Sequence, residues 1–471
     1  MNDAELARQL TAGNAWWRDP DRWESDDRDL KALRESPLRY APDPLDDIAD
    51  PGLYVLRGPR RVGKSVELKR AVGRLLHIGA KPRQIIHCAC DGLTGKDLRR
   101  LQSVGRDQLT GSVDGPRYWL LDEITAVPGW PDAIKWLRDN TAMAGDCVVL
   151  TGSSGRDLEG ARKALAGRRG KAARSDRLLM PMSFRSFCAA AGGALPEMPV
   201  IRSRDFLSRE AEDAVGELLP WLDRIVSLWE TYLRVGGFPR AVGDYLESGA
   251  VSPSFVDDLW DVIHGDALRR ENFSAAQSMR LLRRLTRSIA SPINMTALAE
   301  DIGVGSHSTA GRRVKDLIDA YCAWPCHQRG DGQLPNLAAQ GKVYFADPLL
   351  ARLAQLRADQ PEPDASQVSE QQIGLALTLS FAAEDPGRYA DFSAVMYAKS
   401  ATGREVDFCG RPFGPLAFEA KYTDRGLRRE AQTLRAMFDS GVLATRASLD
   451  RIDGVRALPA GIVALLLNPA G

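Results

Sequence analysis

The sequence predicts an α/β protein with a parallel sheet in its first half, a helical region after it, and a mixed α/β region at the end. Short apolar runs alternate with amphipathic helical stretches between residues 53 and 151, the pattern of a parallel sheet with crossover helices. From 204 to 290 the pattern is helical, and the C-terminal part mixes both patterns. Because 471 residues are too many for one core, we expect about three or four domains.

The individual elements follow from these runs. Strands are predicted at Leu53–Leu56, Gln84–Asp91, Arg117–Leu121 and Cys147–Thr151. Crossover helices are predicted at Ser65–Ile78 and Trp130–Met143. Further along, a compact helical unit is expected at 291–325 and a short strand at Lys342–Phe345. The polar stretch Pro361–Ser369, which contains two prolines, indicates a domain boundary.

Composition excludes several classes of protein. The chain is 44% apolar and 27% charged, and its net charge is only +1. The net charge therefore does not indicate a nucleic-acid or membrane partner. The N-terminus is acidic, and the most apolar tail, 461–467, is too short to span a bilayer. We therefore expect a cytoplasmic protein without a membrane partner. The seven cysteines form no disulfide pattern, and His87–Cys90 and Cys322–His327 lack a second pair at zinc-site spacing.

A phosphate-binding loop follows the first strand. The pattern is G-x4-G-K-[ST], formed by Gly58, Pro59, Arg60, Arg61, Val62, Gly63, Lys64 and Ser65. Glycines let backbone N–H groups turn toward phosphate oxygens, and the helix N-terminus adds its positive dipole. Lys64 would reach the β- and γ-phosphates, and Ser65 would ligate Mg²⁺. The strand–loop–helix context disfavours a chance match, so we predict that the loop binds ATP and Mg²⁺.

Two carboxylates end the apolar run Tyr118–Leu121. A buried strand that delivers Asp122 and Glu123 is unfavourable for stability alone, because isolated buried charges are costly. The pair is useful if Asp122 holds the Mg²⁺ shell and Glu123 polarises the attacking water. The strand Gln84–Asp91 lies between the loop and this pair in sequence. This leaves room for the extra strand of the additional-strand catalytic class of P-loop proteins.

Two further features follow the strand Cys147–Thr151. It ends in Gly152, Ser153 and Ser154, and Ser153 or Ser154 is a candidate sensor of the γ-phosphate, with a simple turn as the alternative. Arg168 and Arg169 lie in a basic loop. Arg168 is our candidate arginine finger in catalysis, and a solvated basic face is the alternative.

Taken together, several motifs resemble those of a known family. They are Gly58–Ser65, Leu121–Ile124 with Gly129–Trp130, Leu150–Ser154, Gly167–Arg168, Leu179–Phe184 and Gly236–Pro239. They are similar to those of the prokaryotic AAA-superfamily ATPases that carry a C-terminal nuclease-like domain. The resemblance covers residues 50–430. It implies an AAA-type parallel sheet core, a helical lid, a winged helix-turn-helix, and a restriction-nuclease-like α/β domain.

The resemblance also divides the chain. The expected parts are a Trp-rich segment (1–45), the P-loop ATPase core (46–185), the helical lid (186–290), the winged helix-turn-helix (291–350) and the nuclease-like domain (351–471). In related ATPases an N-terminal segment packs on the adenine, which is one interpretation of Trp16 and Trp17. The other interpretation places these tryptophans in the core.

The segment 295–321 has the pattern of a helix-turn-helix. A short helix ends at Gly303, and after Gly305–Ser306 a second helix has apolar residues at i, i+3, i+4 and i+7. Its open face offers Ser308, Thr309, Arg312, Arg313 and Lys315. A preceding helix carries Arg280, Arg283, Arg284 and Arg287. These residues predict contact with nucleic acid, DNA in particular, and the alternative is a module used only for packing.

A hairpin near the C-terminus has the D…E-x-K pattern of restriction-like nucleases. Asp407 ends one strand, and after a Gly/Pro-rich turn Glu419 and Lys421 lie on one face of the next. Asp407 and Glu419 would hold a metal ion, Lys421 would act beside the attacking water, and Glu370 would complete the metal site. The alternatives are a surface ion pair on an amphipathic hairpin or a nuclease fold without activity.

The leading functional hypothesis is an ATP-dependent machine that acts on nucleic acid. An arginine that acts in trans would require a homo-oligomer. One alternative is a nucleotide-controlled switch whose C-terminal fold binds protein partners. Another is a sequence-specific regulator that uses the helix-turn-helix, which would not need Glu419.

Overall fold

The computed structural model describes residues 1–48, 50–155, 165–172, 174–191, 195–268, 273–358, 360–384 and 392–467. Within these ranges the chain forms two compact units. The first is built on Met1–Leu179, and the second on the described residues from Met180 onwards. No helix in the described ranges has the length and apolar character needed to cross a membrane.

The first unit contains a five-stranded parallel sheet, of which the alternating pattern predicts the first four strands. Its strands are β1 (Gly52–Arg57), β2 (Ile85–Ala89), β3 (Tyr118–Asp122), β4 (Cys147–Gly152) and β5 (Asp176–Leu178). They lie in the order β2-β3-β4-β1-β5, and every neighbouring pair is parallel. The strand inserted between β1 and β3 is β4. The carboxyl ends of β1, β3 and β4 therefore meet at one edge of the sheet.

The helices of the first unit include both predicted crossover helices. The helices of this unit are Asp3–Gly13, Trp23–Asp26, Arg28–Glu35, Lys64–His77, Gly95–Leu101 and Trp130–Asn140, with a π-helical segment at Gln102–Thr110. The two crossover helices are Lys64–His77 and Trp130–Asn140. Lys64–His77 buries Leu68, Val72 and Leu75, at the spacing of one helix face. Side chains of β3 and β4 are buried along almost their whole length, so the sheet is covered on both faces.

The N-terminal segment pairs with the exposed edge of β2. Asn14 accepts a hydrogen bond from the His87 N–H (2.7 Å) and donates one to the His87 carbonyl (2.8 Å). The indole N–H groups of Trp16 and Trp17 both donate to the carbonyl of Ile85, at 3.1 and 2.9 Å. Trp16 is buried and packs edge-to-face on Trp23. Trp16 therefore belongs to the core of the first unit. The hydrogen bonds also satisfy backbone groups of β2 that an edge strand would leave unpaired.

The second unit begins with the predicted helical region. Its helices are Phe184–Ala191, Arg209–Leu218, Leu222–Val235, Pro239–Ser248, Pro253–Trp260, Ala275–Arg287, Met295–Ile302, His307–Asp319, Pro348–Ala358, Ala365–Glu384, Leu427–Arg435 and Ala460–Leu466. A π-helical segment lies at Asp261–Ala267. The break before Pro239 needs glycine, because a Cβ on Gly237 would lie 2.1 Å from the carbonyl oxygen of Met182.

A nine-stranded mixed sheet forms the rest of the second unit. Its strands are β6 (Ala323–Arg329), β7 (Pro335–Asn336), β8 (Lys342–Phe345), β9 (Met396–Lys399), β10 (Glu405–Cys409), β11 (Leu416–Ala420), β12 (Ser440–Thr445), β13 (Asp450–Ile452) and β14 (Val455–Pro459). The order is β13-β14-β12-β11-β10-β9-β6-β7, with β8 paired to β6. The sheet continues across the boundary expected at residue 350, and that boundary stays a prediction.

Candidate functional site

The phosphate loop runs from β1 to the helix Lys64–His77, as predicted. Gly58 has φ +152°, and a Cβ there would lie 1.8 Å from the carbonyl oxygen of Leu179. Gly63 has φ +100° and immediately precedes the helix. Both positions therefore need glycine for conformational or steric reasons. The buried ammonium of Lys64 donates to the carbonyls of Gly58 (2.9 Å) and Pro59 (2.7 Å), which fixes it over the loop.

The carboxylates at the end of β3 are organised by Thr151 of the neighbouring strand β4. The Thr151 hydroxyl donates to Asp122 Oδ1 (2.6 Å) and accepts from the Glu123 N–H (2.8 Å). Sequence reasoning did not identify Thr151. The sequence signal for Thr151 was a hydroxyl residue next to last in an apolar strand. That signal does not identify its partners, because they depend on β4 lying beside β3.

Glu123 is held by two hydroxyl groups. Its Oε1 accepts from Ser153 Oγ (2.7 Å), the Ser153 N–H (3.1 Å) and Thr125 Oγ1 (2.7 Å). Ser153 also lies 3.5 Å from Arg60 Nε, which connects it to the phosphate loop. Burial disfavours the charged carboxylate, but Lys64 and the bonds from Ser153 and Thr125 outweigh it and lower the pKa of Glu123. Glu123 is thus ionised near neutral pH, as a general base must be.

The donor set at this sheet edge fits a nucleotide and its metal ion. Gly58 and Gly63 shape the loop, Lys64 supplies the cation, and Ser65 lies in the first turn of the helix. Asp122 ends the neighbouring buried strand with a carboxylate, the ligand type that Mg²⁺ prefers. Bound Mg²⁺ would neutralise charge on the phosphates.

The two arginines of the basic loop have partners within the first unit. Arg168 makes a bidentate pair with Asp139, at 2.7 and 2.8 Å. Arg169 pairs with Asp176 at 3.2 Å and donates to Ser175. The role of Arg168 as an arginine finger stays a prediction, and it would require the pair with Asp139 to open.

The C-terminal hairpin brings the predicted acidic residues and lysine together. β10 and β11 are antiparallel, and Phe408 lies opposite Phe418. The Asp407 N–H donates to Glu419 Oε2 (3.1 Å), and Glu419 Oε1 pairs with Lys421 Nζ (3.1 Å). Asp407 Oδ2 accepts from the Ala420 N–H (3.0 Å). Burial and the nearby Asp407 raise the pKa of Glu419 to about 8.

Lys342 of β8 lies among these carboxylates, and sequence reasoning did not identify it. Its Nζ lies 2.7 Å from Glu405 Oε1, 3.1 Å from Glu370 Oε1 and 3.2 Å from Asp407 Oδ1. Glu370 also accepts from the Tyr344 hydroxyl (2.6 Å). Burial and the nearby Asp407 raise the pKa of Glu370 to about 8. Glu370 lies inside the helix Ala365–Glu384.

The helices of the predicted helix-turn-helix are present at Met295–Ile302 and His307–Asp319, but one of its basic residues faces inward. Arg313 is buried, pairs with Asp316 (2.9 Å) and stacks on Phe273, so its expected place on the open face is wrong. Arg312 and Lys315 are exposed, and Lys315 pairs with Asp319 (2.7 Å). Arg280 and Arg287 of the preceding helix are exposed.

Two family models match the chain. Residues 50–188 match the AAA domain, and residues 226–361 match a domain of unknown function, DUF8612. The AAA match covers the parallel sheet, the phosphate loop and the carboxylates of β3. Residues 50–188 are therefore a P-loop domain of AAA type. No curated protein matches the sequence.

Several solved structures resemble this chain at low sequence identity. The Walker-type ATPase PABY2304 of Pyrococcus abyssi has 15% identity and a TM-score of 0.38, covering 71% of this chain and 95% of its own. The ORC2 protein of Aeropyrum pernix, in ADPNP and ADP complexes, has 12% identity and a TM-score of 0.31, covering 65% and 86%. A RuvB variant of Thermotoga maritima has 14% identity and a TM-score of 0.26, covering 58% and 81%.

Proposed function

We propose that this AAA-domain protein binds ATP with Mg²⁺ and hydrolyses it, with Glu123 as the general base. The observation that carries the proposal is the position of Glu123, at the end of β3, hydrogen-bonded to Ser153, which itself lies against Arg60 of the phosphate loop. Backbone N–H groups of the loop and Lys64 hold the phosphates, and Ser65 and Asp122 hold the metal. Ser153, which contacts both the loop and the base, is the proposed sensor.

The test of this proposal is ATP hydrolysis by the purified chain. We expect Mg²⁺-dependent release of phosphate that Lys64→Ala lowers by about 10²–10³-fold, because the cation that stabilises charge on the phosphates is lost. Lys69→Ala is the matched control: Lys69 lies on the same helix and pairs with Asp27 and Asp29. Hydrolysis that is equally fast in wild type and Lys64→Ala would contradict the proposal.

The wider proposal is that the ATPase works on nucleic acid, DNA in particular. The exposed Arg312 and Lys315 of the second helix, together with Arg280 and Arg287, support this proposal because phosphate contacts require accessible cations. An arginine finger supplied in trans would make the working form a homo-oligomer. Binding to labelled duplex should weaken as salt rises, and Arg280→Ala/Arg287→Ala should reduce the salt dependence by about two phosphate contacts. Binding that is unchanged by salt and by these substitutions would contradict it.

We also propose that the C-terminal sheet is nuclease-like. Its support is the arrangement of Asp407 and Glu419 on adjacent strands, with Lys421 paired to Glu419 and Glu370 facing the same cluster. Cleavage of DNA that is lost in Glu419→Ala/Lys421→Ala, with ATPase activity intact, would establish the activity. No cleavage under any metal or nucleotide condition would leave the domain as a binding module.

A further inference from the structure

A lysine ammonium lies at the centre of the C-terminal carboxylate cluster. Lys342 is fully buried, and three carboxylate oxygens lie within 3.2 Å of its Nζ, from Glu370, Glu405 and Asp407. The ring of Tyr397 lies 5.3 Å from the same atom. Carboxylate oxygens are also the ligands that a divalent cation prefers, and here the protein's own cation lies among them.

The other carboxylate oxygens of Asp407 and Glu419 have partners as well. Asp407 Oδ2 accepts from the Ala420 N–H, and Glu419 accepts from the Asp407 N–H and from Lys421. Glu370 Oε1 is shared between Lys342 and the Tyr344 hydroxyl. In the part of the chain that the structure describes, no group of three or more acidic, histidine or cysteine residues is arranged to hold a metal ion. The residues expected as metal ligands therefore do not fit a metal ion in this arrangement.

Lys342 reaches the cluster from a different part of the chain. It belongs to β8, which pairs with β6, whereas Asp407 and Glu419 belong to the hairpin of β10 and β11. Because the ammonium and a divalent cation repel each other and need the same oxygens, only one of them can be bound among these carboxylates. Metal binding would require Lys342 to withdraw and leave its three partners.

We propose that Lys342 is the resident cation of this carboxylate cluster, and that the cluster binds no divalent metal while Lys342 is in place. The proposal rests on the nuclease-like assignment only for the identity of the expected metal ligands. It makes Lys342 the residue that determines whether the C-terminal sheet is a metal site at all.

The test is calorimetric titration of the full chain with Mn²⁺, without nucleotide so that the phosphate loop does not carry metal. We expect no wild-type site that depends on Asp407. Lys342→Met should acquire an Mn²⁺ site that is at least tenfold tighter than any Mn²⁺ binding by the wild type. Lys342→Met/Asp407→Asn should lose this site again. Lys421→Met is the matched control: it also removes one cation beside the cluster but leaves Lys342 among its three carboxylates, so no site should appear.

Two titration results would overturn the proposal. One is a wild-type Mn²⁺ site that Asp407→Asn abolishes, a comparison that remains decisive if Lys342→Met fails to fold. The other is a folded Lys342→Met variant, checked by circular dichroism, that acquires no site. Mn²⁺ binding by Lys342→Met, with no DNA cleavage by this variant or by the wild type, would end the nuclease proposal and leave this one standing. Wild-type cleavage that needs Mn²⁺ and Asp407 would support the nuclease proposal and overturn this one.

Discussion

Glu123 shows how hydrogen bonds at single residues prepare a buried carboxylate for chemistry. Burial alone would favour its neutral form, yet two hydroxyl groups and the cation of Lys64 stabilise the charge. Thr151 meanwhile fixes Asp122 and the backbone of Glu123 through one hydroxyl. The candidate metal ligand and the candidate base are therefore oriented by the adjacent strand.

The hydrogen bond from Ser153 should be visible in the pH dependence of hydrolysis. It stabilises ionised Glu123 and so lowers its pKa; Ser153→Ala should raise that pKa. We expect the acidic limb of kcat/KM to move to higher pH by about one unit, the value of one hydrogen bond to a charged group. Ser103→Ala, whose hydroxyl donates only to Arg100 within a helical segment, should leave the profile unchanged. An acidic limb that stays in place in Ser153→Ala would show that this bond does not tune the base.

Residues were predictable where the chemistry lies within one motif. The loop Gly58–Ser65 and the pair Asp122 and Glu123 are recognisable because their spacing or their place after an apolar run is unusual. Thr151 and Lys342 were not, because their partners come from other strands and only sheet order brings them together. Arg313 was misplaced because Asp316, one turn later, neutralises it in a buried position.

At the scale of elements, strands β1 to β4 of the first sheet were predicted because buried parallel strands have continuous apolar sequences, whereas the three-residue, partly buried β5 was not. The pairing of the N-terminal segment with β2 was not predictable. It depends on the side-chain amide of Asn14, which has the hydrogen-bonding groups of a backbone peptide and takes the place of a neighbouring strand. Nothing in the local sequence distinguishes that asparagine from one in a loop.

Asn14 should therefore contribute to the stability of the first unit. Asn14→Ala leaves the N–H and carbonyl of His87 without their partner, and we expect a loss of about 1–3 kcal/mol in the free energy of unfolding. Urea denaturation followed by circular dichroism measures it. Asn140→Ala is the matched control, because its amide donates from an exposed position to Trp136, and its effect should stay within about 0.5 kcal/mol. Equal losses in both variants would contradict the role given to Asn14.

At the scale of the whole molecule, the chain combines an AAA domain with a second unit that has its own candidate chemistry. The first unit contains a candidate nucleotide site whose residues have the positions that the proposed function requires. The second contains three carboxylates that all pair with the single ammonium of Lys342. We therefore propose ATP hydrolysis for the first unit, and we expect any metal-dependent chemistry of the second to depend on Lys342.

The most direct test of the central claim is ATP binding and hydrolysis measured together for Glu123→Gln. The substitution keeps the size of the side chain and removes only its ability to accept a proton. The account predicts that binding of a fluorescent ATP analogue persists with Mg²⁺ while hydrolysis falls by about 10²–10⁴-fold. Hydrolysis at the wild-type rate in a folded Glu123→Gln protein would show that Glu123 is not the base and would contradict the account.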